Sequence, residues 1–428
     1  MKAKIIPIIT LLLFFSIIFY SCEDSTLREY TGYAPEYLSY KDLRASVTTE
    51  QNVDMKNPGK IYFKDNYIFI VEERQGIHVF DNTNPSSPVK KTFIKLPGVV
   101  DISISGYILY ADSYVDLVVL GLGNIDNIHQ VGRIQDILPY TVPATADTKY
   151  PTAYVDKDKG VVTDWKLGTI KEKVVVNQTP YPVYYNTGFA FTDKVSASGA
   201  SSGVSGSGVG VGGSMARFAI KDNFLYMVDN STLSIFDITN KSTPEKINSF
   251  NVGWNVETMF LTVDKLFLGT TTGMNIYDIS TPEFPFSLAF FTHARSCDPV
   301  IVDDTLAYIT LRSGTCCGGS ANSLDVVDIK DLTKPVLVTS YPMNSPHGLA
   351  KEGDLLFICD GSAGLKVYDA SNPRNITGHL LYTYSMINAF DVIPVGNVLV
   401  LIGDDGLYQY NYSNIQNITL MSTIPVVK

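Results

Sequence analysis

The sequence predicts an all-β fold, a seven-bladed β-propeller with an inserted subregion between blades 2 and 3. Three observations lead there. The first is a repeat: Leu365-Lys366-Val367-Tyr368-Asp369 is echoed at residues 77–81, 117–121, 233–237, 274–278, 324–328 and 407–411. Measured at the last residue of each (Asp81, Gly121, Asp237, Asp278, Asp328, Asp369, Asn411), the steps are 40, 116, 41, 50, 41 and 42. A period of that length in strand-like sequence marks radially repeated four-stranded blades. The second is the grammar inside one period. Four runs alternate β-branched or aromatic residues with polar ones, and Asn, Asp, Gly and Pro separate them, as in antiparallel strands joined by turns. The third is that helical periodicity is nearly absent after Glu50, so a βαβ architecture, which needs amphipathic crossover helices, fails.

Taken in order, the chain opens on Lys2 and Lys4, an apolar run over residues 5–20, and then Ser21-Cys22. Basic, apolar, then small is the form of a secretory leader, and the run is short for a membrane span. A cysteine after a small residue resembles the lipobox of bacterial lipoproteins, although Phe19 and Tyr20 depart from the small aliphatic residues usual there. Glu23 and Asp24 resemble the surface-export signal of Bacteroidetes lipoproteins. The expectation is a leader over residues 1–21, lipidation at Cys22, and an outer-membrane, lipid-anchored domain at the cell surface whose only link to the membrane is the N-terminal lipid.

The formal charge of −10 becomes −12 once Lys2 and Lys4 leave with the leader. So acidic a chain has no electrostatic footprint for nucleic acid. Besides Cys22 the chain has Cys297, Cys316, Cys317 and Cys359, too few for a disulfide scaffold and enough for one local bridge.

Residues 22–57 are expected to be a tether and N-terminal segment, polar and aperiodic as far as Glu36, with a short helix and an extra strand between Tyr37 and Glu50. The propeller spans 58–428. Its first unit divides into residues 60–64, 67–71, 77–80 and 89–96, and the same grammar recurs at 218–250, 258–291, 299–341, 349–384 and 392–426. Residues 138–214 are the insertion; without it about 42 residues remain for each blade. It is rich in aromatics, and within it 161–176 reads as a hairpin turning at Lys166-Leu167-Gly168. The low-complexity run 196–214 reads as a flexible return linker. Two degenerate repeats would also fill the long step, but no Leu-x-Val-x-Asp element appears there. A sandwich or solenoid of the same strands is the alternative architecture, and its edges would need protection that a closed ring supplies.

The Leu-x-Val-Tyr-Asp strands, with Asn-Pro or Thr-Pro turns after them, resemble the LVIVD-repeat family of bacterial and archaeal surface proteins. The resemblance covers residues 58–428 and implies a β-propeller at a cell surface; it implies no reaction. The second repeat departs from the pattern, with Leu120-Gly121 where the others carry aromatic-Asp.

In a propeller each blade's first strand begins at the axis, so the residues that open those strands crowd the channel mouth. Alignment on the turn glycines puts Lys60, Asp101, Arg217, Glu257, Asp298, Gly348 and Asp391 there, with His347 one residue earlier. Six of these seven are charged in a chain that is 18% charged overall, which a core position would not be. Neighbouring opposite charges that hold the ring together are one reading, and ligand binding is the other. Cys297 sits beside this ring and Cys316-Cys317 in the next loop of the same blade, so a disulfide between them is expected in preference to a zinc site. Cys359 reads as a small buried hydrophobe, and His78 and His379 as blade-surface residues.

Asp156-Lys157-Asp158-Lys159-Gly160 reads as a turn, since it lacks the third ligand and distal Glu of a calcium loop. Gly199-Ala200-Ser201-Ser202-Gly203 matches a hydrolase elbow only as a string. No catalytic set is assigned, and no metal or cofactor is expected. The function these observations favour is a binding or scaffold module for a glycan or protein partner, with Trp165, Tyr181, Tyr184 and Tyr185 of the insertion as contacts. The competing class is a glycan-active hydrolase or lyase using Asp101, Glu257, Asp298 or Asp391 at the channel mouth.

Overall fold

The computed structural model describes residues 25–175, 209, 211–212, 216–229, 231–253, 255–296, 299–314, 319, 321–385 and 387–427. The leader with Cys22, Glu23 and Asp24, the residues Cys297, Asp298, Cys316 and Cys317, and Tyr181, Tyr184 and Tyr185 lie outside the described residues.

The chain begins with β1 (Ser25–Leu38), α1 (Tyr40–Ala45) and β2 (Thr48–Glu50). Blade 1 is β3 (Pro58–Lys64), β4 (Tyr67–Glu72), β5 (Gly76–Asp81) and β6 (Val89–Lys95). Blade 2 is β7 (Ile102–Ser105), β8 (Ile108–Ser113), β9 (Asp116–Gly121) and β10 (His129–Ile134). The insertion contributes β11 (Val161–Val175) and β12 (Val211–Gly212). Blade 3 is β13 (Phe218–Lys221), β14 (Phe224–Val228), β15 (Thr232–Asp237) and β16 (Glu245–Asn251). Blade 4 is β17 (Val256–Leu261), β18 (Lys265–Thr270), β19 (Gly273–Asp278) and β20 (Phe286–Thr292). Blade 5 is β21 (Val300–Asp303), β22 (Leu306–Leu311), β23 (Ser323–Asp328) and β24 (Val336–Pro342). Blade 6 is β25 (Leu349–Glu352), β26 (Leu355–Cys359), β27 (Leu365–Asp369) and β28 (Leu380–Tyr384). Blade 7 is β29 (Ala389–Val395), β30 (Val398–Gly403), β31 (Gly406–Asn411) and β32 (Thr419–Pro425).

Each blade is an antiparallel meander, so the fold is the expected seven-bladed propeller and not a sandwich or solenoid. The second and third strands of a blade face a neighbouring blade on both sides, and their near-continuous apolar runs are buried almost throughout, as in β8 and β22. Fourth strands lie at the rim and alternate, so β20 and β24 keep exposed positions. The third and fourth strands of every blade meet with a register shift, as between Val79 and Phe80 and between Tyr277 and Ile276. Bulges at that place increase the local twist. Apolar layers fill the seams between blades: Ile61, Ile68 and Phe80 of blade 1 share one with Leu399, Leu401 and Tyr410 of blade 7 and Phe357 and Val367 of blade 6.

Two parts of the chain differ from expectation. Residues 25–38 are not an aperiodic tether, and 161–175 is not a hairpin. β1 and β11 are each a continuous strand, and they pair antiparallel from Ser25 with Val175 to Leu38 with Val161. Lys166-Leu167-Gly168, expected as a turn, sits mid-strand opposite Gly32, Tyr33 and Ala34. The helix and extra strand after Tyr37 are present as α1 and β2, and β2 extends blade 1 beyond its fourth strand. The end of the Gly/Ser run is also more than a linker. β12 pairs with the inner edge of β3, and Val209 bridges Ser105 of β7, so this segment lies inside the channel. A Cβ at Gly212 would stand 2.9 Å from the Tyr62 ring, which is why a residue without a side chain is needed there.

Candidate functional site

Lys60, Asp101 and Arg217 are brought together. Lys60 Nζ donates to Asp101 Oδ2 at 2.7 Å, and the Arg217 backbone N–H donates to the same oxygen. Asp101 Oδ1 accepts the Ile102 N–H at 2.8 Å, so both carboxylate oxygens are committed. Burial lowers the Lys60 ammonium against the pull of Asp101. Asp391 is sealed from solvent; its Oδ1 accepts the Val392 N–H, its Oδ2 has no hydrogen-bond partner, and burial pushes its carboxyl well above the usual range. A sealed carboxyl of this kind cannot touch a substrate. His347 is also buried, with Nδ1 2.7 Å from Ser345 O, and burial followed by the charge of Arg312 pushes its imidazole down to about 4. Glu257 stands in β17 in a half-buried position. Lys60, Asp101 and Arg217 therefore form a bonded group; Asp391, within electrostatic reach of Lys60 and Asp101, is buried, as is His347.

Beside the bonded group, between blades 2 and 3, lies a cavity of about 470 Å³. Its floor is Val100, Asp101, Asp112, Arg217, Phe218, Met227 and Val228, and residues 138–143 of the insertion form its roof. Arg74, Tyr114 and Asp229 complete the wall. None of Arg74, Asp112, Tyr114 and Asp229 stood out in the sequence: Arg74, Tyr114 and Asp229 follow strand ends, where loop residues are commonly polar, and Asp112 is the next-to-last residue of β8.

Asp112 Oδ1 accepts the N–H groups of Val100 at 2.8 Å and Asp101 at 2.9 Å, and burial raises its carboxyl. Asp229 Oδ1 accepts those of Ser231 at 3.1 Å and Thr232 at 3.0 Å. The Arg74 guanidinium lies 3.8 Å from Glu73, beyond hydrogen-bond range. The Tyr114 ring packs close to the backbone of Gly98: with φ at +86°, a Cβ there would sit 2.3 Å from the ring.

The roof is fixed by the N-terminal segment. Trp165 is buried, and its indole N–H donates to Pro143 O at 2.6 Å. It is thus a pin for the roof and not the exposed contact expected, because an indole buried in an apolar cluster with Tyr33 and Val162 must find its acceptor inside. Tyr140 donates to Gly160 O at 2.8 Å and Tyr40 of α1 to Lys157 O at 3.0 Å. Arg44 of α1 binds Asp116 at 3.0 Å and Asp136 at 2.9 Å, while Arg133 reaches Asp116 at 2.9 Å. Burial alone would raise the Asp116 carboxyl, but bonds from Arg44, the Asp136 N–H and Arg133 outweigh it and hold it low.

Elsewhere, His78 is fully buried against Glu72, Nε2 to Oε2 at 3.2 Å, not on the blade surface as expected. The third strand of blade 1 has both faces covered, and Glu72 supplies the partner that an interior imidazole needs. Cys359 is buried and free. Asp156 caps a single turn over Lys157–Lys159, and no cluster that could hold a metal ion occurs among the described residues.

No curated protein matches the chain. Among solved structures, the chain is similar to a computationally designed protein, Ika8, at 10% identity and a TM-score of 0.50, covering 88% of each chain. It is also similar to the periplasmic gluconolactonase PpgL of Pseudomonas aeruginosa, at 10% identity and a TM-score of 0.53, covering 86% of this chain and 95% of that one. At such identity the likeness concerns the fold alone. Residues 59–93, 212–252 and 315–342 match the LVIVD repeat, and these regions hold the strands that end at Asp81, Asp237 and Asp328; the chain is a seven-bladed β-propeller that carries LVIVD repeats.

Proposed function

We propose that this chain is a lipid-anchored, surface-exposed binding module that grips part of a glycan or protein partner in the roofed cavity between blades 2 and 3. The observation that carries this reading is the cavity. Its volume of about 470 Å³ is that of a small-ligand site, and it combines apolar walls with a few convergent polar groups. It also lies where strand-opening charges meet the insertion, the two features that the repeat itself does not require. Export and anchoring rest on Lys2, Lys4, the apolar run, Ser21-Cys22 and the acidic pair after it.

Val142→Trp, which places an indole in the cavity from its roof, tests the binding half. Wild-type protein should bind members of a panel of glycans and purified surface proteins, and the variant should lose that binding with an unchanged far-UV circular dichroism spectrum. A folded variant that retains every interaction sinks the reading. Anchoring is tested separately: radiolabelled palmitate should enter the wild type and not Cys22→Ala, and added protease should reach the domain on intact cells.

A further inference from the structure

Charge and hydrogen-bond inventory narrow what this cavity takes. Two arginines, Arg74 and Arg217, face three aspartates, Asp101, Asp112 and Asp229, and Lys60 is bonded to Asp101 from behind. The sum lies within about a unit of zero, so the lining offers no net attraction to an anion such as a phosphate or to a cation. The polar atoms that remain are of both kinds. Asp112 and Asp229 each spend Oδ1 on two backbone N–H groups, and Oδ2 of each accepts no hydrogen bond from the described residues. The Arg74 guanidinium makes no side-chain hydrogen bond among the described residues, its nearest carboxylate being Glu73 at 3.8 Å.

A hydroxyl group both donates and accepts, so neighbouring hydroxyls satisfy a carboxylate oxygen and a guanidinium together. A carboxylate or ammonium ligand satisfies only one of them and leaves the other facing a like charge at cost. The rest of the wall is largely apolar, with Tyr114 packed against Gly98 and with Val100 and Met227. We infer that the cavity binds a neutral, polyhydroxylated ligand, the terminal unit of an uncharged saccharide, with Asp112 and Asp229 accepting from its hydroxyls and Arg74 donating to them. This rests on the cavity being the binding site, as proposed above.

The probes are methyl glycosides of neutral hexoses, the matching uronates and sugar phosphates, and short peptides, read by saturation-transfer NMR and titration. Neutral glycosides should bind. Asp112→Asn and Asp229→Asn keep the Oδ1 acceptor and replace Oδ2 by a donor, so each should weaken binding by about tenfold or more, as should Arg74→Met. Melting temperatures report whether each variant is folded, and the two asparagine variants preserve the backbone bonds that Arg74→Met does not touch. Binding confined to uronates, phosphates or peptides, and weakened by these variants, would overturn the ligand class while leaving the site in place. Neutral glycosides that bind equally to wild type, to these variants and to Val142→Trp would overturn the site and with it this inference. No binding of any neutral glycoside at millimolar concentration would also overturn it.

Discussion

Asp278 shows why the repeat ends as it does. Its carboxylate accepts the Ser280 N–H at 2.8 Å and the Ser280 hydroxyl at 2.5 Å, with Lys265 Nζ at 3.2 Å. Asp81, Asp237, Asp328, Asp369 and Asn411 accept the N–H two residues on in the same way. Such a side chain closes an Asx-turn and leads the chain out of the third strand; Gly121 has no side chain to do so. The Ser280 bonds, with Lys265 behind them, hold Asp278 down to about 2. A carboxyl whose folded value lies below its unfolded one adds stability above about pH 4, and that stability is lost as pH falls toward 2. Asp278→Asn keeps the turn acceptor and drops the charge. It is expected to be less stable than wild type at pH 7 by about 1 kcal/mol, its exposure limiting the effect, and equal to it near pH 2. Melting curves across that range decide; a gap that does not change with pH would show that the charge is idle.

At the scale of elements, the N-terminal segment and the insertion make one unit. β1 lies along β11, and α1 reaches blade 2 through Arg44. Arg44→Met should destabilise the protein by about 2–3 kcal/mol, less than a fully orphaned buried charge costs, because Arg133 still answers Asp116. Hydrogen exchange should quicken at residues 136–143, the cavity roof, and stay unchanged in blades 5 and 6. Uniform quickening in all blades would mean that Arg44 holds the ring and not the roof. The coupling also means that removing the insertion strips β1 of its partner, so a point change in the roof is the cleaner test of function. In blade 5, Ser296 Oγ lies 3.3 Å from Ala321 O, and a Cβ at Gly319 would meet Arg295 O, so the flanks of the two cysteine-bearing segments are neighbours. A disulfide from Cys297 to Cys316 or Cys317 is the expected outcome, contributing about 3 kcal/mol by loop closure. Non-reducing peptide mapping that recovers these three thiols free would remove it.

For the whole molecule, the question is how the ring shuts. Blade 7 is built wholly from the end of the described chain and blade 1 from its start, so no blade is shared between the two ends. Side chains make the seam. Asn82 Nδ2 donates to Gln409 Oε1 at 2.8 Å, and Gln409 Nε2 returns a bond to Asn82 Oδ1 at 2.7 Å. Ser422 Oγ donates to Pro85 O at 2.7 Å, and the Val427 N–H donates to Met55 O at 2.8 Å. Gln409 is fully buried, and each apolar side chain filled in beside it adds about 1.5–3 kcal/mol. Gln409→Leu leaves the Asn82 amide unanswered and should cost about 1–3 kcal/mol. Exchange should rise in blades 1 and 7 before blade 4, and denaturation should lose cooperativity. A variant that melts like wild type would place closure in the apolar seam alone.

Much of this architecture is local and therefore legible in the sequence. A period near 41, alternation inside it, and Asp or Asn at every third-strand end but that of blade 2 determine strands, turns and blade number, because each is settled by neighbours a few residues away. The meeting of Lys60 with Asp101 also followed, since the repeat superposes their places. What only the tertiary structure decided involves partners far apart in the chain. β1 and β11 pair across more than a hundred residues, and neither sequence names the other: a ribbon exposed on much of its length needs no apolar pattern to mark it. His78 and Trp165 look like surface chemistry until Glu72 and Pro143 O supply the interior partners that allow their burial. The cavity is a space between two blades beneath a third segment. Composition cannot show it, because a void is defined by where the surrounding atoms stop.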